Sequence, residues 1–416
     1  MLKKIEITQL RVGMYVQELC SSWIDTPFWQ KSFMLSEAEE LKKIQATRIR
    51  HAWIDVSKGL DVLGEPDVKL QAKPDPEPVP EPVPETVPAP APRQIAAVSM
   101  DDELGRASAI VSKSKQAVFS MFNEARMGKA VDVDNAQSMV EEIADSVMRN
   151  PGALIGLARL KTKDDYTYMH SVAVCALMVA LAKQLGLSEE EAREAGLAGL
   201  LHDIGKMMVA ADILNKPGKL TDAEFVSVKE HPAAGYKLLK DAKGISAVAL
   251  DVCLHHHEKI DGSGYPNRLK GDEISLYARM GAVCDVYDAI TSDRPYKQGW
   301  CPAESLRKMA EWSKGHFDEK IFQAFVKSIG IFPVGTLVRL ESGRLAVVVE
   351  QQVGKSLLLP KVRVFFSVKS MAYVAPELID LSRAGMNDKI ATREDAAKWG
   401  IKDINRYWLG EAANNR

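Results

Sequence analysis

Long apolar runs are missing from this sequence. The longest, Val172 to Ala182, falls well short of the ~20 residues that a membrane-spanning helix needs. No secretory leader is expected either, because Met1-Leu2-Lys3-Lys4 passes directly into an alternating, strand-like pattern. Cysteine is scarce: Cys20, Cys175, Cys253, Cys284 and Cys301 are the five in 416 residues, and none form a CxxC pair. An odd count excludes a complete intramolecular disulfide framework and points to reduced, cytosolic thiols. An excess of one charge is also lacking. The 54 Lys and Arg residues against 56 Asp and Glu leave a net charge of −2, which excludes a general attraction to nucleic acid or to an anionic membrane. The expectation is a soluble, cytoplasmic globular protein, with a 46% hydrophobic and 26% charged composition. Its length allows two or three domains.

What is present in excess is proline, and it is local. Between Lys73 and Arg93, Pro74, Pro76, Pro78, Pro80, Pro82, Pro84, Pro88, Pro90 and Pro92 alternate with Glu, Val and Ala. Such a run packs as neither helix nor sheet; it reads as an extended spacer rising roughly 3.1 Å per residue. It divides the chain into residues 1–63, a small α/β regulatory or interaction domain, and a longer remainder beyond a linker at 64–100. In the first part Ile5 to Leu10, Met14 to Val16 and His51 to Val56 read as strands. Ser36 to Ala46 reads as a helix, with Ser36 and Glu39 spaced as a capping box. His51 stands alone there and is assigned a structural role.

The remainder is mainly helical. Residues 101–155 carry connecting amphipathic helices, Asp101 to Met127 and Asn135 to Met148, and residues 156–332 a helical domain. Residues 333–416 follow, with a β hairpin signal around Ser342-Gly343, a third strand at Val362 to Phe366, and a polar, peripheral helical tail from Thr392. Ser188 with Glu191, and Thr221 with Glu224, are capping boxes opening two helices. Gly205 is read as the stop of the first, and Pro232 as ending or redirecting the second.

Histidine is rare, eight in all, yet six of the eight lie between 170 and 257. His170, His202-Asp203, His231, His256-His257 and Asp285 recur near predicted helix ends. Imidazoles and carboxylates without thiolates suit a multinuclear centre of transition-metal ions. Asp203, following a His on a buried helix, is the candidate to bridge two cations with its two oxygens. Such a pair activates water and clamps a phosphoryl group. Lys206, one turn on, adds positive charge for a phosphate or leaving oxygen.

The doublet His202-Asp203, then His231-Pro232, then His256-His257-Glu258-Lys259-Ile260-Asp261-Gly262-Ser263-Gly264-Tyr265-Pro266 resemble the HD-GYP domain, a branch of the HD phosphohydrolases. The run Asp285 to Lys297 matches its later helix, and the likeness covers roughly Gly156 to Phe332. Met1 to about Leu63 resembles a small domain of unknown role that often precedes HD-GYP domains in bacteria. The resemblance implies a helical HD-type phosphohydrolase fold and hydrolysis of cyclic di-GMP to pGpG, often onward to GMP, by hydroxide activated at metal ions. It implies His170, His202, Asp203, His231, His256, His257 and Asp285 as metal ligands, and Asp203 and Lys206 as catalytic residues. It implies Lys206, Gly264, Tyr265, Asp288, Arg294 and Lys297 as substrate contacts. His255 has no ligand counterpart and is assigned a structural role. Some members carry a Glu four residues before the first His, which helps to hold a third metal. Tyr166 stands there in this sequence, and a phenol is a poor ligand. Two divalent ions per chain and release mainly of pGpG are therefore expected, and the resemblance implies iron or manganese as the metal.

Two other functions compete: another HD phosphohydrolase, acting for instance on 3′,3′-cGAMP, and a non-catalytic cyclic di-GMP sensor. Cyclic di-GMP is the expected small-molecule partner. A homodimer through the helices before the catalytic domain, and a diguanylate-cyclase domain meeting the Gly-Tyr-Pro loop, are the expected macromolecular partners.

Overall fold

The computed structural model describes residues 2–20, 33–35, 41, 44, 51–60, 95–161, 166–214, 216, 218–292, 299–352 and 354–410. The expected helix over 36–46 and the proline spacer lie almost wholly outside them. The chain divides into two compact units, Met1–Ala89 and Pro90–Arg416.

In the first unit, β1 (Leu2–Glu6), β2 (Tyr15–Cys20), β3 (Phe33–Met34) and β4 (His51–Asp55) form an antiparallel sheet in the order β1-β4-β2-β3. The alternation of its strands buries Ile5, Val16, Ala52 and Ile54. Ile7–Gln9, expected to continue the first strand, is a 3₁₀ turn.

The second unit is a helical body. Three helices, α1 (Met100–Arg126), α2 (Val133–Arg149) and α3 (Pro151–Arg159), lead to the buried α4 (Tyr166–Gln184). Every residue of α4 from Met169 to Ala182 is buried. By length and hydropathy α4 could cross a membrane, but 78% of that stretch is buried inside the protein; the packed core accounts for its apolar character.

Against α4 lies α5 (Glu189–Leu201), opened by the Ser188–Glu191 capping box. Gly199 makes the close approach possible, because a Cβ there would stand 3.0 Å from the Val174 carbonyl oxygen. A 3₁₀ turn (Ile204–Met208), α6 (Ala211–Leu214), α7 (Asp222–Lys229) and α8 (His231–Lys240) follow. The second capping box, Thr221–Glu224, opens α7, and Pro232 sits in the first turn of α8. Next come α9 (Ala247–His255), α10 (Leu276–Thr291), α11 (Pro302–His316) and α12 (Glu319–Ile329).

The chain closes with an antiparallel sheet in the order β8-β7-β6-β5-β9, built from β5 (Leu337–Leu340), β6 (Arg344–Glu350), β7 (Lys361–Ser367), β8 (Ala372–Asp380) and β9 (Ile390–Arg393). The tail differs from the peripheral helix expected from its polarity. It contributes β9 and only a short α13 (Arg406–Leu409). Within α13, Trp408 is fully buried, beside Gly156 of α3, where an added Cβ would meet its ring at 3.0 Å. Three apolar residues in a row, Tyr407-Trp408-Leu409, pin the polar tail to the helical core.

Candidate metal centre

The centre is assembled mostly from helix ends, with Asp285 from the interior of α10. His170 lies one turn into α4, His202 caps α5, and Asp203 opens the 3₁₀ turn. His231 begins α8, His256 caps α9 with His257 just beyond, and Asp285 comes from α10. Gly205 fits this junction for a different reason than a left-handed helix stop. A Cβ there would fall 1.9 Å from the His231 carbonyl oxygen and 2.5 Å from Gly235 N. Its missing side chain lets the His202-Asp203 turn press onto the start of α8.

Three imidazoles have one ring nitrogen occupied by backbone. Nδ1 of His202 donates to the Gly199 carbonyl at 2.7 Å, that of His231 to Val228 at 2.7 Å, and that of His256 to Val252 at 3.0 Å. This leaves each Nε2 as a lone pair facing inward. Asp203 stands between two groups. Its Oδ2 lies 3.3 Å from both His170 Nε2 and His202 Nε2, and its Oδ1 lies 3.2 Å from His231 Nε2 and 3.8 Å from His256 Nε2. Asp285 supplements both: Oδ1 is 3.0 Å from His170 Nε2, and Oδ2 is 3.8 Å from His257 Nδ1. The donor atoms of His170, His202 and Asp285 lie within 4.8 Å of one another, and those of His231, His256 and His257 do likewise.

The donor set fits divalent cations on an observation of its own. His202 Nε2 and Asp203 Oδ1 are buried with no hydrogen-bond partner, and stranded polar atoms of that kind are costly in a folded interior. Charge state points the same way. Burial, helped by His257 and His202 alongside, holds His256 well below the usual histidine range. Burial also lowers His257 to about 3 despite the Asp285 charge. Asp203 and Asp285 resist burial, which would raise them. Lys206 and His202 hold Asp203 down, and the His170 hydrogen bond and charge hold Asp285 down. Neutral imidazoles among ionised carboxylates are the ligand forms of these groups.

His170 is the exception that exposes a further layer. Burial favours its neutral form, but Asp203, Asp285 and Asp288 outweigh burial and push it up to about 10. A cation at its Nε2 competes with that proton. Its Nδ1 lies 2.6 Å from Asp288 Oδ2, and the same oxygen is held by the ammonium of Lys161, which also donates to Ser292 Oγ at 3.0 Å. Asp288 is 2% exposed. That corrects its expected place as a substrate contact: its carboxylate faces the back of His170, away from any entering ligand. Lys161, its side chain fully buried, is the residue that sequence reasoning missed. Standing in the run Arg159-Leu160-Lys161, it carries no local signal. Tyr166 stacks on His170 with centroids 5.7 Å apart and the planes 9° apart, and Lys161 Nζ lies 5.5 Å from the Tyr166 ring.

Among the other expected site residues, Lys206 is partly exposed and paired with Asp203 Oδ2. Tyr265 stacks on His257, with centroids 4.7 Å apart. Gly264 belongs to the loop rather than to a ligand surface: it is buried, and a Cβ would stand 2.4 Å from Lys259 N. The loop is tied by Glu258, 2% exposed, whose carboxylate accepts from Asn267 N at 2.7 Å and Leu269 N at 3.1 Å. His255 joins neither donor group; its Nδ1 meets Asp251 at 2.7 Å and its Nε2 meets Asn267 at 3.0 Å. Arg294 and Lys297 lie outside the described residues.

Comparison with known proteins follows this geometry. An HD-domain family model matches residues 141–321, and a domain of unknown function, DUF3391, matches residues 2–136. A Pseudomonas aeruginosa protein named as a cyclic di-GMP phosphodiesterase is 55% identical over 99% of this chain and 97% of its own length. A Xanthomonas campestris response regulator named as a cyclic di-GMP phosphodiesterase is 44% identical over 35% of this chain and 39% of its own. A Vibrio cholerae phosphodiesterase named as 3′3′-cGAMP-specific is 38% identical over 40% of this chain and 38% of its own. With the two histidine groups, the full-length likeness and the match over its helical body, the chain belongs to the HD-GYP branch of the HD-domain family of metal-dependent phosphohydrolases, with a DUF3391 domain ahead of the catalytic one.

Proposed function

We propose that this chain is a cyclic di-GMP phosphodiesterase that opens the ring to pGpG, with two divalent ions, iron or manganese, held per chain. The observation that carries the reading is the division of donors about Asp203, one carboxylate oxygen toward each histidine group. When bound, divalent ions supply the positive charge that acidifies water and neutralises phosphoryl oxygens. His170, His202 and Asp285 would hold one and His231, His256 and His257 the other, with Asp203 shared. Arg294 and Lys297 belong to the same proposal as substrate contacts.

The protein's own side chains do the rest. Backbone-anchored Nδ1 atoms fix the ring planes of His202, His231 and His256, so the donors need no reorganisation when the ring-shaped substrate arrives. The Lys206 ammonium, partly exposed beside Asp203, stands where a phosphate oxygen would enter and takes up its negative charge. Tyr265, on the outer face of His257, closes one side of the approach. Tyr166, four residues before His170, offers a ring face rather than a carboxylate there, which favours two ions over three and release of pGpG over GMP. The chain's free, buried Cys175, Cys253 and Cys284 suit the reducing cytoplasm.

The test is chromatographic. Metal-loaded protein is incubated with cyclic di-GMP and, separately, with 3′,3′-cGAMP, and the products are resolved. Accumulation of pGpG, formed faster than any product of 3′,3′-cGAMP, is expected. Faster cleavage of 3′,3′-cGAMP would assign the other cyclic dinucleotide, and tight binding of cyclic di-GMP without any product would make the protein a sensor.

A further inference from the structure

The rim of the centre carries side chains that neither histidine group uses. Helix α7, which runs directly into His231, has no buried residue at all. Phe225 and Val226 are 47% and 59% exposed on it, and Met208, at the end of the 3₁₀ turn that Asp203 opens, is 48% exposed. Phe225 and Val226, large apolar side chains left exposed on one short helix, contribute little to folding, and their place beside the centre suits them to contact a ligand.

Contacts tie this face to the centre. The Tyr265 ring lies on His257, tilted 27° from its plane. Lys229 Nζ lies 5.2 Å from the Tyr265 ring centroid and 4.7 Å from that of Phe225. Phe225, Lys229 and Tyr265 therefore form a continuous strip leading outward from a candidate metal ligand. Among the described residues no carboxylate pairs with Lys229, so its charge is available to a ligand.

Building on the cyclic dinucleotide activity argued above, we propose that Phe225 and Lys229 form a purine subsite, Phe225 stacking on one base and Lys229 contacting that base's edge. Every nucleobase offers a π-face to an aromatic ring. Guanine presents two acceptors on its exposed edge, N7 and O6, whereas adenine presents an acceptor and a donor. An ammonium group only donates, so this subsite favours guanine. Lys206 and the histidine groups act on the phosphodiester, which all cyclic dinucleotides share. The strip on α7 distinguishes them by base.

The test uses the full, metal-loaded chain. Binding is measured by equilibrium dialysis and turnover by product analysis, for cyclic di-GMP, cyclic di-AMP and the base-free diester bis(p-nitrophenyl) phosphate. Phe225→Ala is expected to raise Kd and KM for cyclic di-GMP about tenfold, with the loss falling on KM rather than kcat and exceeding any loss on the base-free diester. Phe225→Trp is expected to restore both. Lys229→Met is expected to shrink the preference for cyclic di-GMP over cyclic di-AMP about tenfold. Equal losses on all three substrates, a loss confined to kcat, or unchanged Kd and preference would overturn the subsite. Because binding is read apart from turnover, cyclic di-GMP held but not cut by the parent would refute the phosphodiesterase reading alone. The Kd shifts would still decide the subsite. Failure of the parent to bind any cyclic dinucleotide would refute both.

Discussion

The metal centre and the helix at its rim are built on opposite principles. Around the centre the groups are buried and anchored: His170 rests in the all-buried α4, is gripped from behind by Asp288, which Lys161 holds in turn, and faces two further carboxylates. Helix α7, a few residues from His231, buries nothing and is kept by its capping box and the exposed side of the Lys216–Glu224 ion pair. Groups that share metal ions must be fixed before the ions arrive, since misplacement forfeits catalysis. A surface that greets a ligand can be held loosely and gain its order on binding. The difference separates where the chemistry resides from where substrate identity is read.

The comparison breaks most severely if the buried support of His170 proves dispensable. Lys161→Met strips the buried Asp288 carboxylate of its lysine charge and leaves it the His170 contact, which costs about 3–5 kcal/mol in folding stability. Loss of the outer support is expected to weaken metal retention about 10- to 100-fold. Denaturant unfolding and metal analysis measure the two effects, and Lys161→Arg, which keeps the charge, should recover part of each. Unchanged metal retention in Lys161→Met would mean that the network behind His170 is ornamental. A smaller loss, about 1–3 kcal/mol, is expected for Gly205→Ala, because its Cβ cannot coexist with the His231 carbonyl at 1.9 Å. Turnover should fall with it as the His202-Asp203 turn is pushed from α8.

The rim should respond locally and weakly. Thr221→Ala removes the cap of α7 and costs about 1 kcal/mol, seen as faster amide exchange confined to α7, with metal content unaffected. Glu224 of the same capping box is lowered to about 2, first by its hydrogen bond to Lys216 and then by the Thr221 backbone. A depressed carboxylate stabilises above its unfolded value. Exchange protection in α7 should therefore be flat above about 4.5 and fade as pH falls toward about 2.

The sequence made the histidine and aspartate pattern legible because most donors sit near a helix start or stop, and the capping boxes Ser188–Glu191 and Thr221–Glu224 mark the helices that lead into His202 and His231. What lay behind the donors was not legible. Lys161 gains its meaning only when α10 brings Asp288 against it, 127 residues away in the chain. Asp288, which the resemblance implied as a substrate contact, instead meets His170 at Nδ1, opposite the Nε2 that Asp285 faces. In the C-terminal sheet, hairpin chemistry at Ser342-Gly343 marked β5 and β6, whereas β8 is exposed over most of its length and shows no burial alternation to find. The tail misled through its polarity, since only the short run Tyr407-Trp408-Leu409 anchors it.

The central claim is that Asp203 joins two cation sites, one oxygen to each. Metal content of anaerobically purified parent and Asp203→Ala, measured by elemental analysis alongside cyclic di-GMP turnover, tests it most directly. The account predicts two divalent ions per chain in the parent, at most one in Asp203→Ala, and no turnover by the variant while helical content is kept. A parent with a single ion or none, or a variant that keeps both ions and its turnover, would contradict it.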